Sequence, residues 1–296
     1  MKSPFKPMRQ SAPQPAPSRP GRQNLRRAAA VLGISLAVGA GPILAAPPTP
    51  GIRNIVLVHG AFADGSSWTP VIRRLQAMGY QVTAVQNPLS SLADDVAATA
   101  HVLRRQTGDV VLVGHSWGGA VITEAGNAPQ VKALVYLSAL APDNGESVTD
   151  LLQRLHAPLA ALTPDAEGLL WLDDPAQFHR IMAADVPIAK ARQLAAIQQP
   201  IAAASFTGRI SHAAWRDKPS WYLHTTRDQA LQPAVQLAIA QQMGATRVAI
   251  PSSHFALQSH PEAVARLIDQ AARAAARSIP DTAVEKSNQP TQENVK

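Results

Sequence analysis

Short apolar runs alternate with longer amphipathic segments over residues 52–277, and this alternation predicts the fold class. Six runs rich in Val, Ile and Leu have the length of strands: 52–58, 80–85, 110–113, 131–137, 221–224 and 247–250. Four segments have the apolar spacing of helices: 68–78, 92–105, 120–125 and 261–277. Strands and helices that alternate in this way form a doubly wound, mostly parallel sheet of about six strands, so we expect an α/β fold over residues 51–277.

The alternation stops at about 142–218, where apolar residues recur at helical spacing and no strand is predicted. A connection of this length is rarely a plain loop inside a compact domain. We therefore predict a helical insertion that caps the sheet. Beyond the last helix, residues 278–296 are polar and aperiodic, and we expect a disordered tail there.

The first fifty residues have the composition of an export signal. They are basic and Pro-rich as far as Arg26-Arg27, and an apolar run that ends in small residues follows, up to Ala46. These are the parts of a bacterial signal peptide. We expect removal of residues 1–46, by the Sec or the twin-arginine route, and a periplasmic or secreted protein without stable membrane association. An uncleaved membrane anchor is the alternative.

The basic excess of the chain lies in that same segment. Seven of the 27 Lys and Arg residues, and none of the 20 Asp and Glu residues, are in positions 1–50, so the remainder is formally neutral. Nucleic-acid binding by the folded part has little charge to act with and is not expected. Because the chain has no Cys, disulfides, thiolate nucleophiles and Cys-ligated zinc are excluded, and neither a metal ion nor a cofactor is predicted.

The segment Gly114-His-Ser-Trp-Gly118 follows a predicted strand and precedes a predicted helix. In this context G-x-S-x-G indicates a nucleophile elbow, a tight turn that presents Ser116 at the start of the helix. A serine hydroxyl becomes a nucleophile when a histidine accepts its proton. That histidine in turn needs a carboxylate, which holds it in the correct tautomer.

Position along the chain selects the histidine. His254 lies after the last strand and before the last helix, where its side chain can reach the elbow. His59 and His115 lie beside the two motif loops, and we expect them to orient backbone there.

Two acids are candidates for the third member. Asp228 follows the fifth predicted strand, at the carboxyl edge of the sheet where ligand sites gather. Asp143, after the fourth strand, is the alternative, and we favour Asp228. The pair Asp94-Asp95 is interpreted differently, as first-turn acids of the helix 92–105 that interact favourably with its dipole.

Acyl transfer also requires two preplaced N–H donors for the oxyanion and a pocket for the substrate. We assign the donors to the backbone amides of Trp117, directly after the predicted nucleophile, and Ala61, in the loop after His59-Gly60. Phe62 is the alternative to Ala61. Phe62 and the cap residue Trp171 are predicted to line an apolar substrate pocket, although for any single cap aromatic a place in the cap core is the favoured alternative.

Three segments together resemble the α/β-hydrolase superfamily: 56–68 (VLVHGAFADGSSW), 114–119 (GHSWGG) and 252–261 (SSHFALQSHP). More narrowly, they resemble its branch of small esterases related to plant methylesterases and hydroxynitrile lyases. The resemblance covers residues 52–275. It implies a Ser-His-Asp esterase mechanism through an acyl-enzyme, without a cofactor, beneath a helical cap.

Two positions depart from the hydroxynitrile lyases of this branch, in which a Lys follows the catalytic His and a Thr follows the His of the first loop. Phe255 and Gly60 stand at those places here, so no charge is available to hold cyanide. The sequence therefore predicts a serine carboxylesterase for small, mostly uncharged esters. A catalytically idle ligand-binding protein and a lyase or perhydrolase relative are the alternatives, and the ester and the oligomeric state stay open.

Overall fold

The structure, a computed structural model, describes residues 51–157 and 162–277. Its strands are β1 (Asn54–Val58), β2 (Gln81–Ala84), β3 (Val110–His115), β4 (Val131–Leu137), β5 (Leu169–Leu170), β6 (Ile201–Ala202), β7 (Ser220–Thr225) and β8 (Thr246–Ile250). Its helices are α1 (Thr69–Ala77), α2 (Leu92–Arg104), α3 (Trp117–Ala125), α4 (Val148–Arg154), α5 (Pro175–Met182), α6 (Ile188–Ala196), α7 (Pro233–Gln242), α8 (Ala256–Ser259) and α9 (Pro261–Arg277).

The two predicted terminal segments, the signal peptide at 1–46 and the tail at 278–296, lie outside the described residues. Among the helices of the two described ranges, none combines the length and the apolar character that a membrane span requires.

Six strands form one parallel sheet in the order β2-β1-β3-β4-β7-β8, which confirms the predicted α/β fold. Successive residues of a strand enter two separate apolar cores. Val56 and Leu112 pack on one face with α2 and α3. Leu57 and Val113 pack on the other face with α1 and α9. Burial on both faces is the reason that these strands are continuous apolar runs in the sequence.

The strand order creates a crevice between β1 and β3. The chain places β2 on one side of β1 and then returns to place β3 on its other side. At such a switch point the loops after the two strands leave in opposite directions and open a space at the carboxyl edge of the sheet. The loop after β1 begins at His59, and the loop after β3 consists of Ser116, so both predicted motif loops meet there.

Between β4 and β7 the chain leaves the sheet and forms α4, α5, α6 and the antiparallel pair β5-β6. The sequence predicted helices in this insertion and no strands, and the pair corrects that prediction. Each strand has only two residues, which is too short for an alternating pattern to be detected. The pairing sets Leu170 opposite Ile201, and both side chains are buried in the core that contains α2 and α3.

Two helices of the described chain, α7 and α8, were not predicted. The sequence of α7, PAVQLAIAQQ, has apolar residues on several sides and therefore no amphipathic period. The four residues of α8 make a single turn, which leaves no period to detect.

The Tyr222 hydroxyl joins β7 to the chain that follows β4. It accepts the N–H of Ala139 (2.9 Å) and donates to the carbonyl of the same residue (2.7 Å), in a fully buried setting. Tyr222→Phe leaves both backbone groups buried without this partner, so we expect the free energy of unfolding in urea to fall by about 1–3 kcal/mol.

The matched control is Tyr80→Phe. The Tyr80 hydroxyl donates to Asp269 in a half-exposed setting where water can replace it, and the expected loss is below about 1 kcal/mol. Equal losses in the two variants would contradict the assignment of a structural role to the buried hydroxyl.

Candidate active site

Ser116 occupies a strained turn between β3 and α3. Its φ of 54° and ψ of −120° lie outside the regions that side-chain-bearing residues ordinarily adopt. The turn is held by packing on both sides. The Ser116 N–H donates to the carbonyl of Leu137 (3.1 Å), and a Cβ on Gly114 would lie 2.5 Å from the carbonyl oxygen of Gly118. Only Gly at 114 lets α3 approach β3 this closely, as the elbow motif predicts.

His254 and Asp228 form a buried pair behind the cavity that Ser116 lines. The Nδ1 of His254 donates to Oδ2 of Asp228 at 2.7 Å, and both side chains are almost completely inaccessible to solvent. Since a carboxylate only accepts, the bond places a ring proton on Nδ1. It leaves Nε2, which makes no hydrogen bond within the described residues, able to accept a proton when the imidazole is neutral.

Four further donors hold the Asp228 carboxylate. Oδ1 accepts the backbone N–H groups of Ala230 (2.8 Å) and Leu231 (2.9 Å). Oδ2 accepts the Thr225 hydroxyl and the Gln236 side-chain amide, both at 2.8 Å. These bonds compensate for the lost hydration of a buried anion, and they fix the oxygen that faces His254.

The core fixes the backbone of His254. Its carbonyl oxygen accepts Nε2–H of His115 (3.0 Å) and the hydroxyl of Ser138 (3.1 Å). Burial lowers the pKa of His115 well below its ordinary value, so this ring is neutral and its one proton lies on Nε2. His115 therefore orients backbone, as the sequence suggests, and does not act as a base.

The cap also holds the loop of His254. The carbonyl of Met182, at the end of α5, accepts the N–H of Phe255 (3.0 Å). Asp185, just beyond α5, accepts both the N–H (3.0 Å) and the hydroxyl of Ser253. The position of the histidine thus depends on the cap as well as on the sheet.

His59 supports the loop after β1. Its Nδ1 donates to the carbonyl of Gly60 (2.9 Å), and its Nε2 accepts the N–H of Asn87 (2.9 Å). Burial lowers the pKa of His59, and the neutral ring that results matches this division into one donor and one acceptor. A Cβ on Gly60 would lie 2.8 Å from Cβ of Ser116, so the supported loop passes directly beside the serine.

Two backbone amides beside Ser116 have no acceptor in the part of the chain that the structure describes. They are the N–H of Trp117, the first residue of α3, and the N–H of Ala61. Free N–H groups at a helix start and in a loop next to a serine suit the binding of an oxyanion. The N–H of Phe62 is free as well, and Ala61 is the residue nearer to Gly60 along the loop.

A cavity of about 250 Å³ lies under the cap and over Ser116 and His254. Among the described residues, its other polar side chains are those of Gln229 and Gln232, and none of the side chains that line it is charged. The remaining wall is apolar and comes from the sheet loops and the cap: Ala61, Phe62, Trp117, Leu140, Leu152, Ala157, Leu162, Leu170, Leu172, Ile181, Met182, Phe206, Ala230 and Leu231. Such a site suits a small, largely apolar and uncharged molecule.

The structure corrects one predicted pocket residue. Trp171 does not line the cavity: its side chain is 42% exposed, and its indole N–H donates to Asp165 (2.9 Å). Its neighbours Leu170 and Leu172 line the cavity instead, because successive side chains of an extended segment point to opposite sides. Phe62, the other predicted pocket residue, is part of the wall.

The alternative acid, Asp143, lies elsewhere. Its carboxylate receives two bonds from the guanidinium of Arg216, and this contact holds the pKa of Asp143 below its ordinary value. Of the two candidates, the structure brings only Asp228 to His254.

Three residues of the site were missed by sequence reasoning: Phe206, whose ring packs on that of Trp117, Gln236 on α7, and Asp95 on α2. The sequence interpreted Asp95 only as a first-turn acid of α2, and the structure shows in addition that its side chain is completely buried. The sequence did contain a pattern that indicates this burial, since Asp95 lies on the same face of α2 as Leu92 and Leu103. A charged residue on an apolar helix face is the pattern that finds it.

Comparison with known proteins gives relatives of this fold. The chain is 34% identical over 121 residues to a carbendazim hydrolyzing esterase of Nocardioides sp., a match that covers 36% of this chain and 50% of that one. It is 29% identical over 242 residues to an alpha/beta hydrolase of Aspergillus novofumigatus, covering 74% and 96%. It is 31% identical over 117 residues to a putative chloroplastic methylesterase of Arabidopsis thaliana, covering 34% and 26%.

The chain thus spans half the length of the first of these relatives and nearly all of the second. The crystal structure of a pyrethroid hydrolase from Sphingobium faniae superposes with a TM-score of 0.64 at 22% identity, over 76% of this chain and 99% of that one, which shows a shared fold. The family model for the alpha/beta hydrolase family matches residues 55–267. This protein belongs to the alpha/beta hydrolase family, and within it resembles esterases that include the plant methylesterases.

Proposed function

We propose that this protein is a serine hydrolase that cleaves small, uncharged carboxylic esters through an acyl-enzyme. Ester hydrolysis is the activity named for several relatives, and the family is that of the alpha/beta hydrolases. One observation carries the finer proposal: Ser116, on a strained turn, and His254, bonded to buried Asp228, line the same apolar cavity.

The geometry supports a two-step reaction. The Ser116 oxygen attacks the ester carbonyl while His254 Nε2 takes the hydroxyl proton, and Asp228 stabilises the imidazolium. The amides of Ala61 and Trp117 bind the oxyanion. The C–O bond to the alcohol breaks, and the alcohol leaves with the proton from His254. A water molecule then attacks the acyl-enzyme by the same route and releases the carboxylic acid and free Ser116.

The wall of the cavity supports the proposed substrate class. Since none of the described lining residues is charged, a charged substrate would lose hydration and gain no compensating contact from them. Gln229 and Gln232 offer hydrogen bonds to an uncharged polar group. The names of the relatives put carbendazim and pyrethroids into the first substrate panel, beside p-nitrophenyl esters of short acids.

The position that distinguishes hydroxynitrile lyases argues for the esterase proposal. Phe255 is buried and packs on the rings of His115 and Phe178, at centroid distances of 5.2 and 5.7 Å. It is not among the residues that line the cavity, and no cation lines the cavity within the described ranges. Nothing on this wall offers a cyanide ion a charged partner.

Ser116→Ala tests the proposal against an idle ligand-binding protein. We expect the wild-type protein to hydrolyse p-nitrophenyl acetate and to lose turnover after a fluorophosphonate labels it. Removal of the nucleophile should lower kcat by roughly 10⁶-fold and abolish labelling, as measured by intact mass. Ser211→Ala, which removes an exposed hydroxyl bonded to Glu124, is the control and should keep both properties. Wild-type protein that neither turns over any ester nor takes the label would refute the proposal.

A second pair of variants tests the acid. Asp228→Asn preserves shape but favours the wrong tautomer of His254, and we expect kcat/KM to fall by roughly 10³- to 10⁴-fold. Asp143→Asn breaks a pair with Arg216 that is partly exposed, and kcat/KM should stay within about two-fold of wild type. The reverse ranking of the two variants would assign the acid to Asp143.

We further propose that residues 1–46 direct export and are then removed, on the sequence pattern alone. Expression in a Gram-negative host should yield a periplasmic or secreted protein whose intact mass begins near Pro47. Full-length protein in the membrane fraction would instead support the uncleaved anchor.

A further inference from the structure

A buried carboxylate lies behind the nucleophile elbow and takes no part in the mechanism above. Asp95, in the first turns of α2, has no exposed surface. Its Oδ2 accepts the indole N–H of Trp117 at 2.7 Å, and its Oδ1 accepts the backbone N–H of Leu89 at 2.8 Å. Within the described residues it makes no ion pair with Lys, Arg or His.

Trp117 connects this carboxylate to both parts of the site. Its backbone N–H is one of the two free amides beside Ser116, and its ring forms part of the cavity wall. The same ring packs edge-on against Phe206 of the cap, at a centroid distance of 5.2 Å. The indole is therefore part of a cavity wall and belongs to the same residue as the free amide at the start of α3.

Leu89 connects the Asp95 carboxylate to the cap through its two backbone hydrogen bonds. Its φ of 59° is unusual for a side-chain-bearing residue, and its N–H is held by Asp95. Its carbonyl accepts the N–H of Ala202 in β6 at 2.9 Å. Asp95 thus stands where the elbow, the segment before α2 and the cap meet.

Stability alone does not account for a carboxylate at this place. A buried anion without a cation is costly, and the pKa of Asp95 stays raised although Trp117 and Leu89 both donate to it, so these two bonds do not offset the whole cost of burial. What Asp95 supplies, and an apolar residue does not, is a directional acceptor for the indole N–H. From this geometry, and resting on the proposed function, we propose that Asp95 is a positioning residue for catalysis, which fixes the Trp117 amide and ring against the reacting ester.

The position also makes the site sensitive to pH. Burial raises the pKa of Asp95 to about 6, against the bonds from Trp117 and Leu89 that favour the anion; neighbouring Asp94 raises it further. The groups that contact the Asp95 carboxylate are the indole N–H of Trp117 on α3 and the backbone N–H of Leu89 in the segment before α2, and neither of them titrates near pH 6. As pH falls through about 6 the carboxylate takes a proton, and because the neutral acid is a weaker acceptor than the anion, the bond that holds the indole N–H of Trp117 weakens.

A double-mutant cycle tests whether Asp95 acts through the indole. Asp95→Asn removes one of the two acceptors, and Trp117→Phe removes the N–H while it keeps the backbone amide and an aromatic wall. We expect each to lower kcat on p-nitrophenyl acetate by about ten- to hundred-fold, with KM within about three-fold. The double variant should be no worse than the worse single variant. Losses that multiply would overturn the proposal.

Asp94→Asn is the matched control. Asp94 is the adjacent acid on α2, is exposed and bonds Ser90 and Ser91, so kcat should stay within about two-fold of wild type. The acid limb of log kcat/KM against pH should be steeper for wild type and Asp94→Asn than for Asp95→Asn. In the last variant the carboxylate that titrates beside Trp117 is absent. Identical limbs in all three proteins would overturn the proposal.

Indole N–H resonances give a readout that needs neither turnover nor a folded Asp95 variant. In protein with ¹⁵N-labelled tryptophan, the Trp117 signal is the one absent from Trp117→Phe. In wild type we expect the chemical shift of this signal to change with pH, with a midpoint near pH 6. A signal that stays in place between about pH 4.5 and about pH 8 would contradict the contact between the indole and Asp95. Wild-type protein without esterase turnover would refute the proposed function, whereas turnover that is equal in Asp95→Asn and Asp94→Asn would refute this inference alone.

Discussion

The site depends on the close packing of α3 against the carboxyl ends of β1 and β3. A positive φ at Ser116 is unfavourable for a residue with a side chain, and it persists because the surroundings over-determine it. Gly114 lets the helix start directly at the end of its strand, and the Ser116 carbonyl accepts N–H groups from Gly119 (2.9 Å) and Leu140 (3.1 Å). The same packing leaves the Trp117 N–H without an acceptor among the residues that the structure describes, so the strain at Ser116 and the free amide beside it have the same cause.

Around this turn, two neutral histidines hold the backbone by hydrogen bonds. Charged side chains in the same buried places would lose more hydration free energy. His59 and His115 are both buried, burial lowers the pKa of each, and each donates its single proton to a backbone carbonyl. One carbonyl belongs to Gly60 in the loop after β1 and the other to His254 itself. The loops of Gly60 and His254 are therefore held by the same type of bond, which carries no net charge into the candidate site.

The sequence predicted the sheet, the elbow, the Asp228–His254 pair and the loop of Ala61, because each is tied to a local pattern at the end of a strand. What it missed depends on contacts distant in sequence. Trp171 faces outward because of a two-residue strand that shows no period, and Phe206 reaches the cavity only through the folding of the cap. Gln236 lies on a helix without an amphipathic pattern, so its place beside Asp228 has no sequence signal.

Two buried carboxylates, Asp228 and Asp95, differ in the number of hydrogen bonds that they accept, and this number affects how well each negative charge is stabilised. Asp228 accepts five hydrogen bonds, from two backbone amides, a hydroxyl, an amide side chain and His254, so its desolvation is compensated at both oxygens. Asp95 accepts two, and burial raises its pKa to about 6. The first arrangement suits a carboxylate that holds a histidine in one orientation. The second loses its charge as pH falls through about 6, which couples the position of Trp117, and with it the proposed oxyanion site, to the acidity of the surroundings.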